Sequence, residues 1–348
     1  MVIDPLATVN PWDDSPCIDW EATLAFREHL YRLGFKVAEA MDTAQRGMGV
    51  DWPVARELIQ RSLRHARVVG GDLACGVGTD QLAIAPGLTL ADVETAYREQ
   101  LGIVEAEGGK VILMASRALA RCARGPQDYL ALYGRLLRDV SQPVVLHWLG
   151  DMFDPALRGY WGSADLSVAL DTVAQLIEEN ASKVEGIKVS LLDAQWELAL
   201  RRRLPDGVKM YTGDDFNYSE LIAGDDDGYS HALLGIFDPI ATVAAAALSE
   251  LAEGNATRFR ALLDPTVDLS RELFRAPTRH YKAGVVFLAW LNGHQTHFSM
   301  AGGAQSARGV VHFARLFELA DASGVLADPD MALSRMKQYL AVACGVAA

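Results

Sequence analysis

The sequence predicts a (β/α)8 barrel followed by a C-terminal helical region. Eight short apolar runs alternate with segments of helical periodicity up to about residue 236, and only helical patterns follow. We expect the barrel domain to occupy residues 1–255 and the helical region to occupy residues 256–348, packed on the barrel or on a neighbouring subunit. An open, doubly wound sheet uses the same units, but eight units without a spare strand favour the closed barrel.

Eight apolar runs have the length and composition of strands in a parallel sheet, several of them buried on both faces. The predicted strands are Leu6–Asn10, Lys36–Met41, Gly71–Gly76, Lys110–Ala115, Pro143–Trp148, Val184–Val189, Val208–Tyr211 and His231–Ile236. Asp92 after Thr89 and Asp165 after Ser163 predict helix starts, because these side chains cap helix N-termini.

Helical periodicity marks the segments between the strands and the region after residue 236. The predicted helices are Asp19–Leu33, Val54–His65 and Leu166–Asn180 between strands, then Ile240–Glu253, Ala256–Leu263, Val267–Leu273, Tyr281–Leu291, Val310–Ala322 and Pro329–Ala341. Amphipathic helices at the end of a chain usually need a partner surface. We therefore expect the chain to form an oligomer.

Composition excludes several classes of partner. The formal net charge of −13 argues against nucleic acid and anionic membranes as partners. No apolar stretch reaches the roughly 20 residues that span a bilayer, and no secretory signal opens the sequence. The four cysteines are far apart and form no CxxC pair, as expected of reduced thiols. We expect a cytoplasmic protein that acts on a small molecule.

Polar residues follow the ends of several predicted strands, where barrel enzymes carry their reacting groups. Lys188 is the last residue of Val184-Glu185-Gly186-Ile187-Lys188 and lies at or near the mouth of the predicted barrel. Desolvation there disfavours the charged amine, and a neutral amine is what Schiff-base formation requires. The alternative is a structural lysine paired with Asp193 or another carboxylate at the rim.

Two segments resemble motifs of the dihydrodipicolinate synthase and N-acetylneuraminate lyase superfamily, of which the chain looks like a divergent bacterial branch. Gly186-Ile187-Lys188 is similar to the G-x-K segment whose lysine forms the Schiff base, and Gly213-Asp214-Asp215 is similar to the G-D-D segment after the next strand. The resemblance implies a class I aldolase-type lyase on a (β/α)8 barrel, assembled as a homodimer or a homotetramer. Its covalent lysine intermediate needs no other cofactor.

The sequence departs from that superfamily at two places. The G-T-T-G-E-type loop, which holds a substrate carboxylate, is replaced by Asp42-Thr43-Ala44-Gln45-Arg46. Thr43 keeps a hydroxyl, Asp42 would repel a carboxylate, and Arg46 is either an anion clamp or a loop cation. His147 stands where relatives carry a proton-relaying tyrosine; the alternative is a buried structural histidine.

These departures favour a keto- or aldo-sugar derivative over plain pyruvate as the substrate. The expected catalytic residues are Lys188, His147 and Tyr211, and the expected substrate-binding residues are Asp42, Thr43, Arg46, Asp151, Ser190, Gly213, Asp214, Asp215 and Asn217. A catalytically eroded barrel that only binds a sugar-like effector is a non-enzymatic alternative.

A metal-dependent sugar isomerase or epimerase on the same fold is the rival enzyme class. His294 and His297 lie three residues apart and would act as ligands together with His147 and carboxylates at the rim. No acidic residue stands beside the histidine pair in the sequence. We therefore expect no metal site, and a divalent metal remains the alternative.

Overall fold

The computed structural model describes residues 1–7, 10, 12, 15–41 and 46–346. The chain divides into two compact units. Unit 1 comprises Met1–Phe35, Met48–Val50 and Leu234–Ala348, and unit 2 comprises Lys36–Gly47 and Asp51–Leu233. The predicted domain boundary after residue 255 stays a prediction.

Unit 2 contains a parallel sheet in which each strand pairs with the next one along the chain. Its strands are β3 (Val37–Glu39), β4 (Leu73–Val77), β5 (Lys110–Leu113), β6 (Val144–Leu149), β7 (Val184–Ser190), β8 (Lys209–Thr212) and β9 (His231–Ala232). Seven predicted strands are thereby confirmed, with ends that differ by up to four residues.

Helices connect these strands, and five of them begin at a capping side chain. They are α2 (Trp52–Val69), α3 (Leu90–Ala106), α4 (Arg117–Cys122), α5 (Pro126–Asp139), α6 (Leu166–Glu179), α7 (Ala194–Arg201) and α8 (Tyr218–Ala223). Thr89 and Asp92 form a reciprocal capping box at the start of α3, and Asp165 caps α6. Both helix starts predicted from the sequence are confirmed.

The sheet is curled: residues at its two outermost strands pack against the same apolar cluster. The members of that cluster are Met41, Ile112 and Val145, with Ala38, Ala74, Tyr211 and Leu233 packed against them. Ala38 belongs to β3 and Leu233 follows β9, which are the two ends of the strand order. A parallel sheet that curls in this way has its core inside, as in a (β/α)8 barrel.

Unit 1 combines the N-terminal segment with the C-terminal helices. Its elements are the antiparallel pair β1 (Val2–Ile3) and β2 (Ile18–Asp19), then α1 (Trp20–Arg32), α9 (Ala241–Ala252), α10 (Ala256–Leu263), α11 (Val267–Leu273), α12 (Lys282–Leu291), α13 (Val310–Ala322) and α14 (Pro329–Cys344). All six helices predicted after residue 236 are confirmed. Short 3-10 turns occur at Pro155–Leu157, Tyr160–Gly162, Ala181–Lys183, Asp264–Thr266, Thr278–His280 and Ala301–Ala307.

The first predicted strand, Leu6–Asn10, is wrong over its described part. Leu6 and Ala7 lie in a turn, and Leu6 is 97% exposed. A strand side chain that faced a barrel core would be covered, so the apolar pattern here is not a core pattern. Residues 8 and 9 of this prediction lie outside the described residues. Among the helices described, none is long and apolar enough to span a membrane.

Candidate active site

Three predicted site residues lie side by side across neighbouring strands of unit 2. In the parallel register His147 of β6 pairs with Lys188 of β7, and Lys188 pairs with Tyr211 of β8. Because alternate residues of a strand face the same side of a sheet, these three and Val145 share the inner face. The sheet register thus joins residues that are 41 and 23 positions from Lys188 in the sequence.

Lys188 lies close to the apolar core of the sheet. Its side chain is partly buried, and its Nζ is 3.9 Å from the Sδ of Met41. Met41 is itself a member of the apolar cluster with Ile112 and Val145. The amine of Lys188 thus lies at the edge of this apolar cluster.

Gly213, directly after β8, leaves the space that Lys188 and Ser190 occupy. A Cβ atom at residue 213 would clash with Ser190 Oγ and would come within 2.5 Å of Lys188 Cε. The N–H of Gly213 donates to Val189 O at 2.8 Å, which fixes its backbone against β7. The glycine of the G-D-D segment is therefore needed for close approach of backbone to side chains.

His147 is a fully buried imidazole with one nitrogen engaged. Its Nε2 lies 3.2 Å from Ser190 Oγ, and its Nδ1 has no hydrogen-bond partner within the described chain. Burial, and then the charge of Lys188, lower its pKa well below the ordinary value. At neutral pH the ring is therefore neutral and able to accept a proton.

Tyr211 makes a strong contact on the same face. Its hydroxyl donates to Glu185 Oε1 at 2.9 Å, and its pKa is raised by burial first and by Glu185 second. Glu185 stands near the start of β7, three residues before Lys188. A hydroxyl held there competes with a proton-relay role at Lys188, so that role stays a prediction.

The acidic residues after β8 order the backbone around Gly213. Asp214 Oδ1 accepts from the N–H of Phe216 at 2.9 Å and of Asn217 at 3.1 Å, and Asp214 Oδ2 accepts from Asn217 Nδ2 at 2.8 Å. Burial raises the pKa of Asp214. Asp215 is buried as well. The predicted contacts of Asp214, Asp215 and Asn217 with a substrate stay predictions.

Arg46 is 2% exposed and has protein partners for its whole guanidinium group. Nε and Nη2 donate to the two oxygens of Asp80 at 3.1 and 2.5 Å, Nη2 also donates to Gln100 Oε1 at 2.7 Å, and Nη1 donates to the carbonyls of Gly76 and Ala40. These contacts match all its N–H groups. The structure thus gives Arg46 a structural role, and its use as an anion clamp stays a prediction.

The remaining predicted residues of the rim are less informative. Asp42 and Thr43 lie outside the described residues. Asp151 is exposed in the turn after β6. Ser190, by contrast, is buried at the end of β7 and contacts His147. The structure therefore brings together Lys188, His147, Tyr211, Ser190 and Gly213 from the predicted set.

The two histidines of the metal alternative belong to unit 1 and have separate neighbours. His294 packs against His29, with ring centroids 4.6 Å apart, and against Phe26. His297 Nε2 lies 2.9 Å from Ile3 O, and its Nδ1 accepts from Ser299 N–H. Within the described ranges, no three His, Cys, Asp or Glu residues are grouped closely enough to hold a metal ion.

Sequence reasoning missed two buried acids of unit 2. Asp80, three residues after β4, is the partner of Arg46. Glu197 of α7 is fully buried, and burial raises its pKa to about 7 against the effects of Ser230, Thr212 and Arg201. The position of Asp80 after a strand was an available signal. Glu197 sits in an ordinary amphipathic helix and gave none.

The fold is also that of known enzymes. Dihydrodipicolinate synthase from Aquifex aeolicus matches with a TM-score of 0.68 at 13% identity, over 92% of this chain and 97% of that chain. The enzyme from Thermotoga maritima matches with a TM-score of 0.67 at 14% identity, over 92% and 97%. YagE of E. coli K12, solved in complex with pyruvate, matches with a TM-score of 0.70 at 12% identity, over 88% and 93%.

These likenesses confirm the predicted (β/α)8 barrel with C-terminal helices and the resemblance to the dihydrodipicolinate synthase superfamily. At such low identity they establish the fold alone. No curated protein matches the sequence. The model of the family described as "Protein of unknown function (DUF993)" matches residues 1–346. The chain therefore belongs to the DUF993 family, whose fold is shared with the dihydrodipicolinate synthases.

Proposed function

We propose that this protein is a Schiff-base-forming lyase or aldolase in which Lys188 binds a small carbonyl compound. The observation that carries the proposal is the grouping of Lys188 with a buried, neutral His147 and with Ser190, in space that Gly213 leaves open. A nucleophilic amine beside a proton acceptor is the arrangement that carbonyl condensation requires.

The first step is attack of neutral Lys188 Nζ on the carbonyl carbon. The carbonyl electron pair moves to oxygen, the carbinolamine takes up a proton and loses water, and an iminium ion remains. The bond between the alpha and beta carbons then breaks, and its electron pair forms the enamine. The hydroxyl on the beta carbon gives up its proton and becomes the carbonyl of the second product.

His147 is our candidate for the base that takes this proton. Its lowered pKa keeps the ring neutral, and Nδ1 has no partner among the described residues. Ser190 Oγ at Nε2 holds the ring in one orientation. General-base help of this kind typically contributes about 10²–10⁴-fold in rate. Tyr211 would assist only if its hydroxyl left Glu185.

For the substrate class we favour a keto- or aldo-sugar derivative over plain pyruvate. Arg46 is the cation of the altered carboxylate loop, and its N–H groups already bind protein acceptors, among them Asp80 and Gln100. A carboxylate would need other donors to be bound tightly. Hydroxyl groups, in contrast, suit the donors and acceptors of Ser190 and His147.

Borohydride trapping tests the proposal. The protein is incubated with pyruvate, glyceraldehyde, dihydroxyacetone and a panel of keto- and aldo-sugars, reduced, and mapped by peptide mass spectrometry. We expect a stable adduct on Lys188 with at least one polyhydroxylated carbonyl compound. Lys188→Ala should lose the adduct, and Lys209→Ala should keep it because Lys209 is paired with Glu185 on the neighbouring strand.

The trapping result also separates the alternatives. A compound that is turned over without labelling Lys188 would overturn the Schiff-base mechanism. In that case chelator sensitivity and metal analysis would test the isomerase alternative, and binding without turnover would support the effector-binding barrel. A cytoplasmic location and a homodimer or homotetramer remain expectations, for which fractionation and light scattering are the measurements.

A further inference from the structure

A second group of polar side chains lies in unit 1, around the start of α13. The group, here called the Arg308 cluster, comprises Arg275, Arg279, His280, Arg308 and His312 with Glu272 as its carboxylate. It contains three arginines and two histidines in a chain whose net charge is −13. None of these residues takes part in the site around Lys188.

Arg308 joins the start of α13 to the segment after α11. Its guanidinium donates to the carbonyls of Arg275 at 2.5 Å, Pro277 at 3.0 Å and Ala276 at 3.3 Å. Glu272 accepts from His312 Nδ1 at 2.7 Å and from Arg275 Nη1 at 3.2 Å. These contacts fix Arg275 and His312 on either side of one carboxylate.

Three buried nitrogens of the cluster have no hydrogen-bond partner in the described part of the chain. They are Arg308 Nε, His280 Nδ1 and His312 Nε2. His312 is more than nine-tenths buried. Because Arg279 donates to His280 Nε2 at 3.3 Å, the proton of neutral His280 is on Nδ1. Arg308 Nε and His280 Nδ1 are N–H groups, and buried N–H groups without an acceptor are costly and indicate a missing partner. His312 Nε2 carries a lone pair instead, because Nδ1 is the nitrogen that donates to Glu272.

The first turn of α13 offers further donors. Its N-cap is Gly309, which supplies no side chain to cap the helix, and a Cβ there would meet nothing within 4 Å. The N–H groups of Val310 and Val311 have no preceding helical carbonyl to bind. The partial positive charge of a helix start adds to that of the arginines.

The cluster holds three arginines and one carboxylate, Glu272, whose charge offsets part of theirs. The pKa of Arg308 is lowered by burial and then by Arg275, and the pKa of His280 is lowered by burial and then by Arg279 and Arg308. Mutual repulsion of this kind is relieved when an anion binds.

We propose that the Arg308 cluster and the start of α13 form a binding site for a phosphate group. A phosphate oxyanion has several strong acceptor oxygens and matches planar guanidinium donors, backbone N–H groups and imidazole N–H together. Arg275 and Arg279 are exposed and open the site to solvent, Arg308 and His280 are half-buried, and His312 is buried. The phosphate comes either from inorganic phosphate or from a phosphorylated small molecule.

Isothermal titration of the full-length protein with inorganic phosphate and with glycerol 3-phosphate tests this site, with sodium chloride at matched ionic strength as the reference. We expect saturable binding of one phosphate group per chain that chloride does not reproduce. Tighter binding of glycerol 3-phosphate indicates a phosphorylated metabolite, and tighter binding of inorganic phosphate indicates the free ion. Absence of saturable binding for both probes overturns the proposal.

Two variants locate the binding. Arg275→Gln/Arg279→Gln should weaken it at least about tenfold, since charged hydrogen bonds contribute roughly 1.5–3 kcal/mol each. Arg61→Gln/Arg64→Gln removes two exposed charges from α2 of unit 2 and should leave it unchanged.

Gly309→Asp adds a carboxylate cap that competes for the same N–H groups. It should weaken phosphate binding while raising the melting temperature, because an N-cap side chain stabilises a helix. Phosphate binding that is unchanged in both Arg275→Gln/Arg279→Gln and Gly309→Asp would show that phosphate does not bind at the Arg308 cluster.

Discussion

Two buried polar groups of unit 2 differ in how completely the protein satisfies them. Arg46 is enclosed by Asp80, Gln100 and two backbone carbonyls, and all its N–H groups are used. His147 is equally buried, yet it has Ser190 at one nitrogen and no partner at the other within the described residues. The first arrangement is what stability favours. The second leaves hydrogen-bonding capacity that a substrate can use.

The largest expected effect comes from the incompletely satisfied group. His147→Phe should lower kcat about 10²–10⁴-fold with the substrate that trapping identifies, because the base is lost while a ring of similar size remains. Stability should change by less than about 2 kcal/mol, because no strong hydrogen bond is broken. The matched control is His231→Phe. His231 is a half-buried histidine on β9 whose ring packs against that of Tyr211. Equal kcat losses in both variants would contradict the role of His147.

Arg46→Leu should instead cause a large loss of stability. Removing one partner of a buried ion pair strands Asp80 and costs about 3–5 kcal/mol, measured by urea denaturation. Arg61→Leu, which breaks an exposed pair with Glu57, should cost less than about 1 kcal/mol. A loss below 1 kcal/mol for Arg46→Leu would mean that its contacts are not structural and would revive the anion-clamp prediction.

Glu197 extends the comparison to pH. Its pKa is raised from 4.5 to about 7 by burial, so the protonated form is favoured in the folded chain. That stabilisation is complete below pH 4.5 and is lost as pH rises through about 7, a change on the order of 3 kcal/mol.

Glu197→Gln should therefore remove most of this pH dependence of unfolding and make the protein more stable above pH 7. Exposed Glu220→Gln on α8 is the control and should leave the curve unchanged. An unchanged pH profile in Glu197→Gln would show that another group titrates.

The smallest effects test the space around Lys188. Gly213→Ala should cost about 1–3 kcal/mol through its clash with Ser190 and Lys188, and it should slow adduct formation in the trapping assay. Gly102→Ala in the exposed interior of α3 meets nothing within 4 Å and should stabilise by roughly 0.5–1 kcal/mol. If Gly213→Ala were equally tolerated, the site would be looser than its contacts imply.

Local patterns predicted most of the secondary structure, because the spacing of apolar residues and the presence of helix-capping residues can be read from short segments. Seven strands and all six late helices are present, and the capping box at Thr89 follows directly from two residues. The exception is Leu6–Asn10, where apolar residues occur without a core to face. Apolar character alone does not tell which surface a segment meets.

Pairings between distant residues explain what the sequence did not predict. The partners of Arg46 are 34 and 54 residues away, so its satisfied state depends on how β4 and α3 pack. The contact of His147 with Ser190 depends on the register of β6 and β7, which a list of strand ends does not contain. Motif similarity made Lys188 the candidate Schiff-base lysine, because the order and spacing of the G-x-K and G-D-D segments can be read from the sequence alone.

Unit 1 is built from segments at both ends of the sequence, and this matters for synthesis on the ribosome. One of its N-terminal contacts joins residues translated far apart in time, since Ile3 O and His297 are 294 residues apart. At elongation rates of about 5–20 residues per second, Ile3 waits roughly 15–60 s for that partner. Unit 2 is complete in the nascent chain well before then. A chaperone that binds nascent chains would therefore meet Val2 and Ile3, buried in the finished protein, while they are still uncovered.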